Sequence, residues 1–516
     1  GCANGDYAAI QRWEPALRKN MDRRKQKRLW AFGAAGVALL AAATLWLALR
    51  PSVALPEAGE KLLDASRGLD EIVVEASLDP DTRMLTVSQT LTLQNRTGQP
   101  QETVALRAWA NAFRSLDTSP IASEELFDRC YPDGFSSGSV TVARAAANGQ
   151  NVAFRYLDTA KTVLSLPLAD SWQPGESISV ALHYQVEIPR AAYRFGVNDG
   201  VWALGNAFVV PALWQDGRWR TDEYLPVGDP FVSQCQNWQV TLSVPEGYQC
   251  AASAYPTVET ADGRRLYSFE ALAVRDFALI AAQGLQQAQA MEEGVLVTAY
   301  ARDAAQARQM LTYACQALKC YCARYGAYPY PSYTLCQASF SMSGMEYPAL
   351  AMIGASTLAA EDALEQAVAH ETAHQWWYAA VGSDQWNQPW QDEALAAFSV
   401  LEYMQQYHGA AARQEMEQQA EYALRTTVPR GVTPGCPLDR FSTMGEYKLV
   451  VYDRGLALFC ALDRMTGGLD TALAAYYDAY AFGLAGRKDL EQTLCTVTGQ
   501  DVTPLCRDYL DTYILH

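Results

Sequence analysis

The strongest constraint on this chain is a change in the period of its apolar residues near position 300. From about 70 to 275 they recur at every second position in short runs. MLTVSQTLTLQN at 84–95 places Leu85, Val87, Leu91 and Leu93 on one face, as a half-buried strand requires. VVEASL (73–78), SVTVARA (139–145), SISVALHYQVEI (177–188), WQVTLSVP (238–245) and RLYSFEA (265–271) read the same way. Asp79-Pro80-Asp81 and Asn95-Arg96-Thr97-Gly98 supply turn signals between them. This is the pattern of an antiparallel β-sandwich. After a strand at 294–301, Met310, Ala314, Ala317 and Tyr321 fall at helical spacing until Gly326, and beyond about 355 the chain reads as mostly helical. The expected fold class is α+β, with chemistry on the second part or between the two.

A different feature dominates the start. Residues 29–49, LWAFGAAGVALLAAATLWLAL, carry no charge. As a helix they would extend roughly 31 Å, the thickness of a bilayer's hydrocarbon core. Trp30 and Trp46 lie near its ends, and seven of the eleven residues Arg18–Arg28 are basic. By the positive-inside rule the N-terminus is cytoplasmic and all that follows is exported, so we expect a single-pass protein of the cell membrane, touching lipid through 29–49. The expected segments are a basic cytoplasmic stretch 1–28, a transmembrane helix 29–49, a linker 50–69, a β-sandwich domain 70–283 and a catalytic domain 284–516. Because residue 1 is Gly, the chain could also be part of a larger, permease-like membrane protein. The formal charge of the whole is −17; residues 1–50 hold nine basic and three acidic groups, leaving 31 basic and 54 acidic beyond them. So acidic a body repels phosphate backbones and excludes nucleic acid as a partner. The twelve cysteines show no CxxC spacing and are expected to be mostly buried free thiols.

The motif that carries chemistry is HETAH at 370–374, in a helical stretch expected over 362–380. One helical turn separates His370 from His374, so both imidazoles can meet one Zn²⁺, with Glu371 placed to take a proton from a water there. A catalytic zinc needs a third protein ligand. Glu393, in WQDEALAAF at 390–398, lies nineteen residues after His374 at the start of a second helical pattern.

With HExxH, eighteen residues and then Glu, the chain resembles the gluzincin aminopeptidases, the family of aminopeptidase N and leukotriene hydrolase. SGMEYP at 343–348 resembles that family's GxMEN loop, in a form similar to its bacterial branch, and YDRG at 452–455 its Y-x-K-G element. The resemblance implies an N-terminal β-sandwich, a thermolysin-like mainly helical domain and one Zn²⁺ per chain on His370, His374 and Glu393. It implies Glu371 as general base, Tyr452 as donor to the oxyanion (Tyr447 being the alternative), and Glu346 as anchor for a substrate's free α-amine, with backbone contacts from Gly344 and Met345. The implied substrates are peptides with a free N-terminus. Arg454 stands where the family has Lys, and Ala394 where it has Gly; the family's large helical C-terminal domain is not expected, which implies a more open site. Met345 and Tyr347 are candidates to line the pocket for the first side chain. The alternatives are an inactive, membrane-tethered peptide-binding module and another hydrolytic use of the same zinc site, such as epoxide opening.

Overall fold

Strict alternation shapes the first half. In the strand Glu71–Asp79 the side chains of Ile72, Val74, Ala76 and Leu78 are buried and those between them exposed. The neighbouring strand Met84–Gln94 does the same with Leu85, Val87, Leu91 and Leu93. Each buried aliphatic side chain contributes about 1.5–3 kcal/mol relative to exposure, and a slip by one residue would turn all of them to solvent. The computed structural model describes residues 57–121, 123–428 and 431–512. The segment 1–28 and the span 29–49 lie outside the described residues. Among the described residues no helix is long and apolar enough to cross a membrane.

The main sheet has eight strands, in the order Thr257–Ala261, Arg264–Val274, Gln236–Pro245, Glu71–Asp79, Met84–Gln94, Ser177–Glu187, Ser139–Ala147, Gln150–Asn151. It departs from the expected antiparallel sandwich at one pair. Glu71–Asp79 runs parallel to Gln236–Pro245, a pairing that the long stretch of chain between them permits. Two four-stranded sheets, one containing Gln101–Arg107 and Val163–Trp172 and the other Val201–Leu204 and Leu279–Gln283, and a two-stranded ribbon of Trp214–Gln215 and Arg218–Trp219 complete the described β half.

The second half opens with a five-stranded sheet ordered Gln286–Glu292, Val295–Ala301, Ser332–Ala338, Leu350–Gly354, Gly344–Tyr347. The helix Ala304–Tyr325 connects the parallel pair Val295–Ala301 and Ser332–Ala338. The rest is helical, including Glu361–Ala373, Trp390–His408, Ala410–Arg425 and Gly455–Thr466. From Glu57 onward the residues pack as one unit.

Three local expectations change. The linker expected at 50–69 contains a helix, Glu57–Ser66, fixed by burial of Leu62 and by a hydrogen bond from Asn237 to the Ser66 carbonyl at 2.9 Å. GMEY is the edge strand Gly344–Tyr347 rather than a loop. The helix expected over 362–380 ends at Ala373, and Ala379, Ala380 and Val381 donate five residues back instead, to His374, Gln375 and Trp376. The eleven cysteines among the described residues are all free thiols.

Candidate metal centre

The helix Glu361–Ala373 begins with Glu361 and Asp362, acids that suit the positive end of its dipole, and buries Leu364 and Val368. That face directs its last turn, with His370 and His374 as its closing residue, at the second helix. Trp390–His408 starts just after Pro389, with Asp392 and Glu393 in its first turn. The result is a triangle of donor atoms. His370 Nε2 and His374 Nε2 are 3.1 Å apart, and Glu393 Oε2 lies 3.2 Å from the first and 3.3 Å from the second. Tetrahedral ligands at about 2.0–2.1 Å from a Zn²⁺ are separated by roughly 3.3 Å. The donor set therefore fits that ion.

The surroundings orient each ligand. His374 Nδ1 is 3.0 Å from the Trp377 carbonyl, so Nδ1 carries the proton and Nε2 presents its lone pair to the triangle. Tyr452 donates to Glu393 Oε1 at 2.5 Å, and its ring lies 5.7 Å from that of His370 at 19°. Tyr447 packs edge-on against Tyr452 at 5.8 Å. Of the two tyrosines weighed from the sequence, Tyr452 is the one on the Glu393 carboxylate.

The side chain of Glu371 is buried, and its Oε2 has no hydrogen-bond partner. Gly344 permits this placement: a Cβ there would collide with the Glu371 carboxylate. Burial, partly offset by His374, pushes Glu371 up to about 8. Gln375 ties the edge strand to this helix, accepting from Ala349 N at 2.8 Å and donating to Tyr347 O at 3.1 Å. Glu346 on that strand is buried, and its carboxylate lies within 4.8 Å of those of Asp229 and Glu393. Burial raises its pKa well above the usual range, His374 opposing and Asp229 and Glu371 adding. Burial also opposes charge on Glu393, but hydrogen bonds to His370 and His374 outweigh it and hold its pKa low. The opposite balance acts on His374, where the charge of Glu346 and the hydrogen bond and charge of Glu393 overcome burial and raise its pKa well above the imidazole range. Of the four carboxyl groups around the two imidazoles only Asp229 is matched by a guanidinium, that of Arg194, so the pocket favours a further cation, as Zn²⁺ would supply.

Sequence reading did not assign Asp229 or its partner Arg194. Asp229 sits in GDPFVS at 228–233, and Arg194 forms a buried ion pair with it. Both come from the β half. Met345 and Tyr347 are both buried. Both pack inward with Phe340 and Met352, and the Tyr347 hydroxyl donates to Asn206 at 3.0 Å. Arg454 turns away from the site and donates to the carbonyls of Ala423, at 3.1 Å, and Thr426, at 2.5 Å, at the end of the helix Ala410–Arg425. The Ala394 methyl occupies space left by Gly455, where an added Cβ would approach it to 2.6 Å.

Residues 309–509 match the Peptidase family M1 domain. Both helices of the triangle and Tyr452 lie inside this M1 domain, as does Glu346. Aminopeptidase RNPEPL1 of Mus musculus is 27% identical over 187 residues, covering 32% of this chain and 25% of that protein. Leukotriene A-4 hydrolase of Xenopus laevis is 24% identical over 155 residues, 28% of this chain and 25% of that protein. The chain thus spans about a quarter of the length of these relatives. An M1 zinc metallopeptidase structure from Deinococcus radiodurans superposes with a TM-score of 0.60 at 16% identity, covering 87% of this chain and 95% of the other. A two-domain M1 zinc metallopeptidase variant bound to L-arginine gives 0.61 at 16%, covering 86% and 93%. The fold likeness extends through the β half, beyond the M1 domain. These likenesses support the gluzincin aminopeptidase family, and Zn²⁺ is the cofactor this family and this donor set call for.

Proposed function

We propose that the protein is a zinc aminopeptidase that hydrolyses the first peptide bond of peptides with a free N-terminus. The observation that carries this reading is the position of Glu346 and Asp229, whose carboxylates stand together beside Glu393 at the ligand triangle. An ammonium group held there has its adjacent peptide bond brought to the triangle, and a blocked N-terminus lacks the charge to be held.

His370, His374 and Glu393 would hold the ion. Bound there, Zn²⁺ supplies Lewis-acid polarisation of the scissile carbonyl and a more acidic water. Glu371 accepts the proton of the attacking water at its carboxylate and returns it to the leaving amine nitrogen. Gly344 leaves room for that carboxylate beside the edge strand, whose outer edge can pair with an extended peptide. Tyr452 would turn its hydroxyl hydrogen bond from Glu393 Oε1 to the oxygen on which negative charge develops, keeping its proton.

The finer readings rest on sequence. The apolar run 29–49 and its basic flank support a single-pass membrane anchor with the enzyme on the outer side, and SGMEYP supports a bacterial origin. A permease-like partner or fusion would follow if the chain continues upstream. Protease protection of membrane vesicles tests the anchor: digestion from the cytoplasmic face should spare the M1 domain.

The deciding experiment compares free and N-acetylated peptides on the full chain, with Glu371→Gln beside it. We expect cleavage of the free peptides alone, reduced about 10²–10⁴-fold in the variant. Equal cleavage of both peptide sets would remove Glu346 and Asp229 as anchors and indicate an endopeptidase. Zinc uptake without any cleavage would favour a binding module.

A further inference from the structure

Arg275 follows the strand Arg264–Val274 in the β half, yet its guanidinium is spent almost wholly on the other half. Nε donates to the Ala379 carbonyl at 3.2 Å, and one terminal nitrogen to the carbonyls of Ala380 at 3.1 Å and Gly483 at 2.9 Å. The second terminal nitrogen returns to Ser233 O at 2.8 Å, while Ser233 Oγ donates to the Arg275 carbonyl at 2.6 Å. The residue is only 2% exposed. Gly382 is shaped to it, since a Cβ at that position would collide with the guanidinium.

The carbonyls that Arg275 gathers belong to an unusual turn. After His374 the chain does not continue its helix but closes three successive wide turns, from Ala379 to His374, Ala380 to Gln375 and Val381 to Trp376. Inside them Tyr378 has φ 146°, a backbone region that side chains disfavour. Such a conformation persists only where its surroundings hold it. Arg275 grips the turn on one side. On the other the Trp377 indole donates to Ser399 at 2.9 Å, on the helix that bears Glu393. Between these two grips lies the Trp377 carbonyl, the group that meets His374 Nδ1 at 3.0 Å.

We propose that Arg275 is a positioning residue for the metal centre: by gathering the Ala379 and Ala380 carbonyls it holds the strained turn whose Trp377 carbonyl orients His374. The β half thereby takes part in zinc retention without contributing a ligand. A planar guanidinium offers five donors in a fixed fork, which a lysine cannot reproduce, and partners that orient a metal-binding imidazole are worth about 10–100-fold in affinity. The inference rests on the zinc reading above.

Zinc release from the loaded full chain into excess chromogenic chelator tests it, with circular dichroism run alongside. Arg275→Met should release zinc at least about ten-fold faster than the parent under conditions where both are folded, and Arg275→Lys should fall between. Ser399→Ala, loosening the other grip, should move release in the same direction by less. Arg107→Met is the control. Arg107 is also buried and donates to carbonyls, those of Arg220 and Asp222, within the β half alone. It should lower the unfolding temperature and leave zinc release unchanged. The proposal is overturned if folded Arg275→Met releases zinc like the parent, or if Arg107→Met speeds release equally. Should Arg275→Met not fold, parental release from both Arg275→Lys and Ser399→Ala overturns it instead. A parent that takes up no zinc would bring down the zinc reading and this proposal together, whereas zinc uptake with unaltered release brings down only the proposal.

Discussion

The two helices that supply the ligands meet the centre by opposite ends. Glu361–Ala373 runs into it and delivers His370 and His374 at its close, while Trp390–His408 runs out of it and delivers Glu393 in its first turn. A carboxylate gains about 0.3–1 kcal/mol at a helix N-terminus, and a cation gains similarly at a C-terminus. Each helix therefore offers the end that suits its ligand. Their supports differ more sharply. Glu393 is braced from within the helical half, by Tyr452 on Oε1. His374 depends on the turn after it, which is gripped from both halves. One ligand is preorganised locally and the other by assembly of the whole molecule.

The largest effect should come from the ligands themselves. His374→Ala and Glu393→Ala should each abolish stoichiometric zinc, measured by elemental analysis, together with peptide hydrolysis. Retention of zinc in only one of them would show that the two helices are unequal partners.

A second test uses pH. Asp276, next to Arg275, accepts from Asn206 at 2.6 Å, and Asn206 in turn accepts from Tyr347 on the strand of Glu346. Burial pushes Asp276 up from 3.8 to about 7. Between those values the folded protein binds a proton that the unfolded chain has released, so stability falls as pH rises through that window and the loss is complete above it. Asp276 should by itself lower the stability measured by urea unfolding by on the order of 2–3 kcal/mol between pH 5 and pH 8, and Asp276→Asn should lessen the fall seen in the parent by about that much. A rise with pH in this range would contradict the burial account.

Tyr452→Phe sharpens the comparison from the local side. It should slow turnover about 10²-fold by removing an oxyanion donor, and quicken zinc release by about ten-fold or less. An effect on zinc exceeding that of Arg275→Met would reverse the contrast, making Glu393 the more dependent ligand.

Much of this arrangement is legible in sequence because its chemistry is local. His370 and His374 lie one turn apart in one helical pattern, so helical spacing suggests that they meet, whereas Glu393 on the next helix reads as a ligand only in combination with HETAH. The alternating strands are legible for the same reason, a short period repeated. Partners chosen by tertiary packing are not. Asp229, Arg194 and Arg275 lie in stretches that read as strand ends and turns, and no periodicity brings them to a site more than a hundred residues further on in sequence for Asp229 and Arg194. The parallel pairing of Glu71–Asp79 with Gln236–Pro245 is hidden likewise, since each strand alone would suit either direction. The helix end at Ala373 escapes because Trp376, Trp377, Ala379 and Ala380 suit a helix well enough; the carbonyls of Ala379 and Ala380 are claimed by a residue far upstream.

Ala394 and Gly455 show how a tight contact governs the order in which a lineage can change. The Ala394 methyl stands where a second methyl at 455 would approach within 2.6 Å. Gly455→Ala should therefore destabilise the present protein by about 1–3 kcal/mol, read as a fall in unfolding midpoint, and the double variant Ala394→Gly, Gly455→Ala should recover part of that loss. The smaller residue has to arrive first. Descendants of this chain can pass the methyl from one helix to the other, but only along that one of the two possible routes.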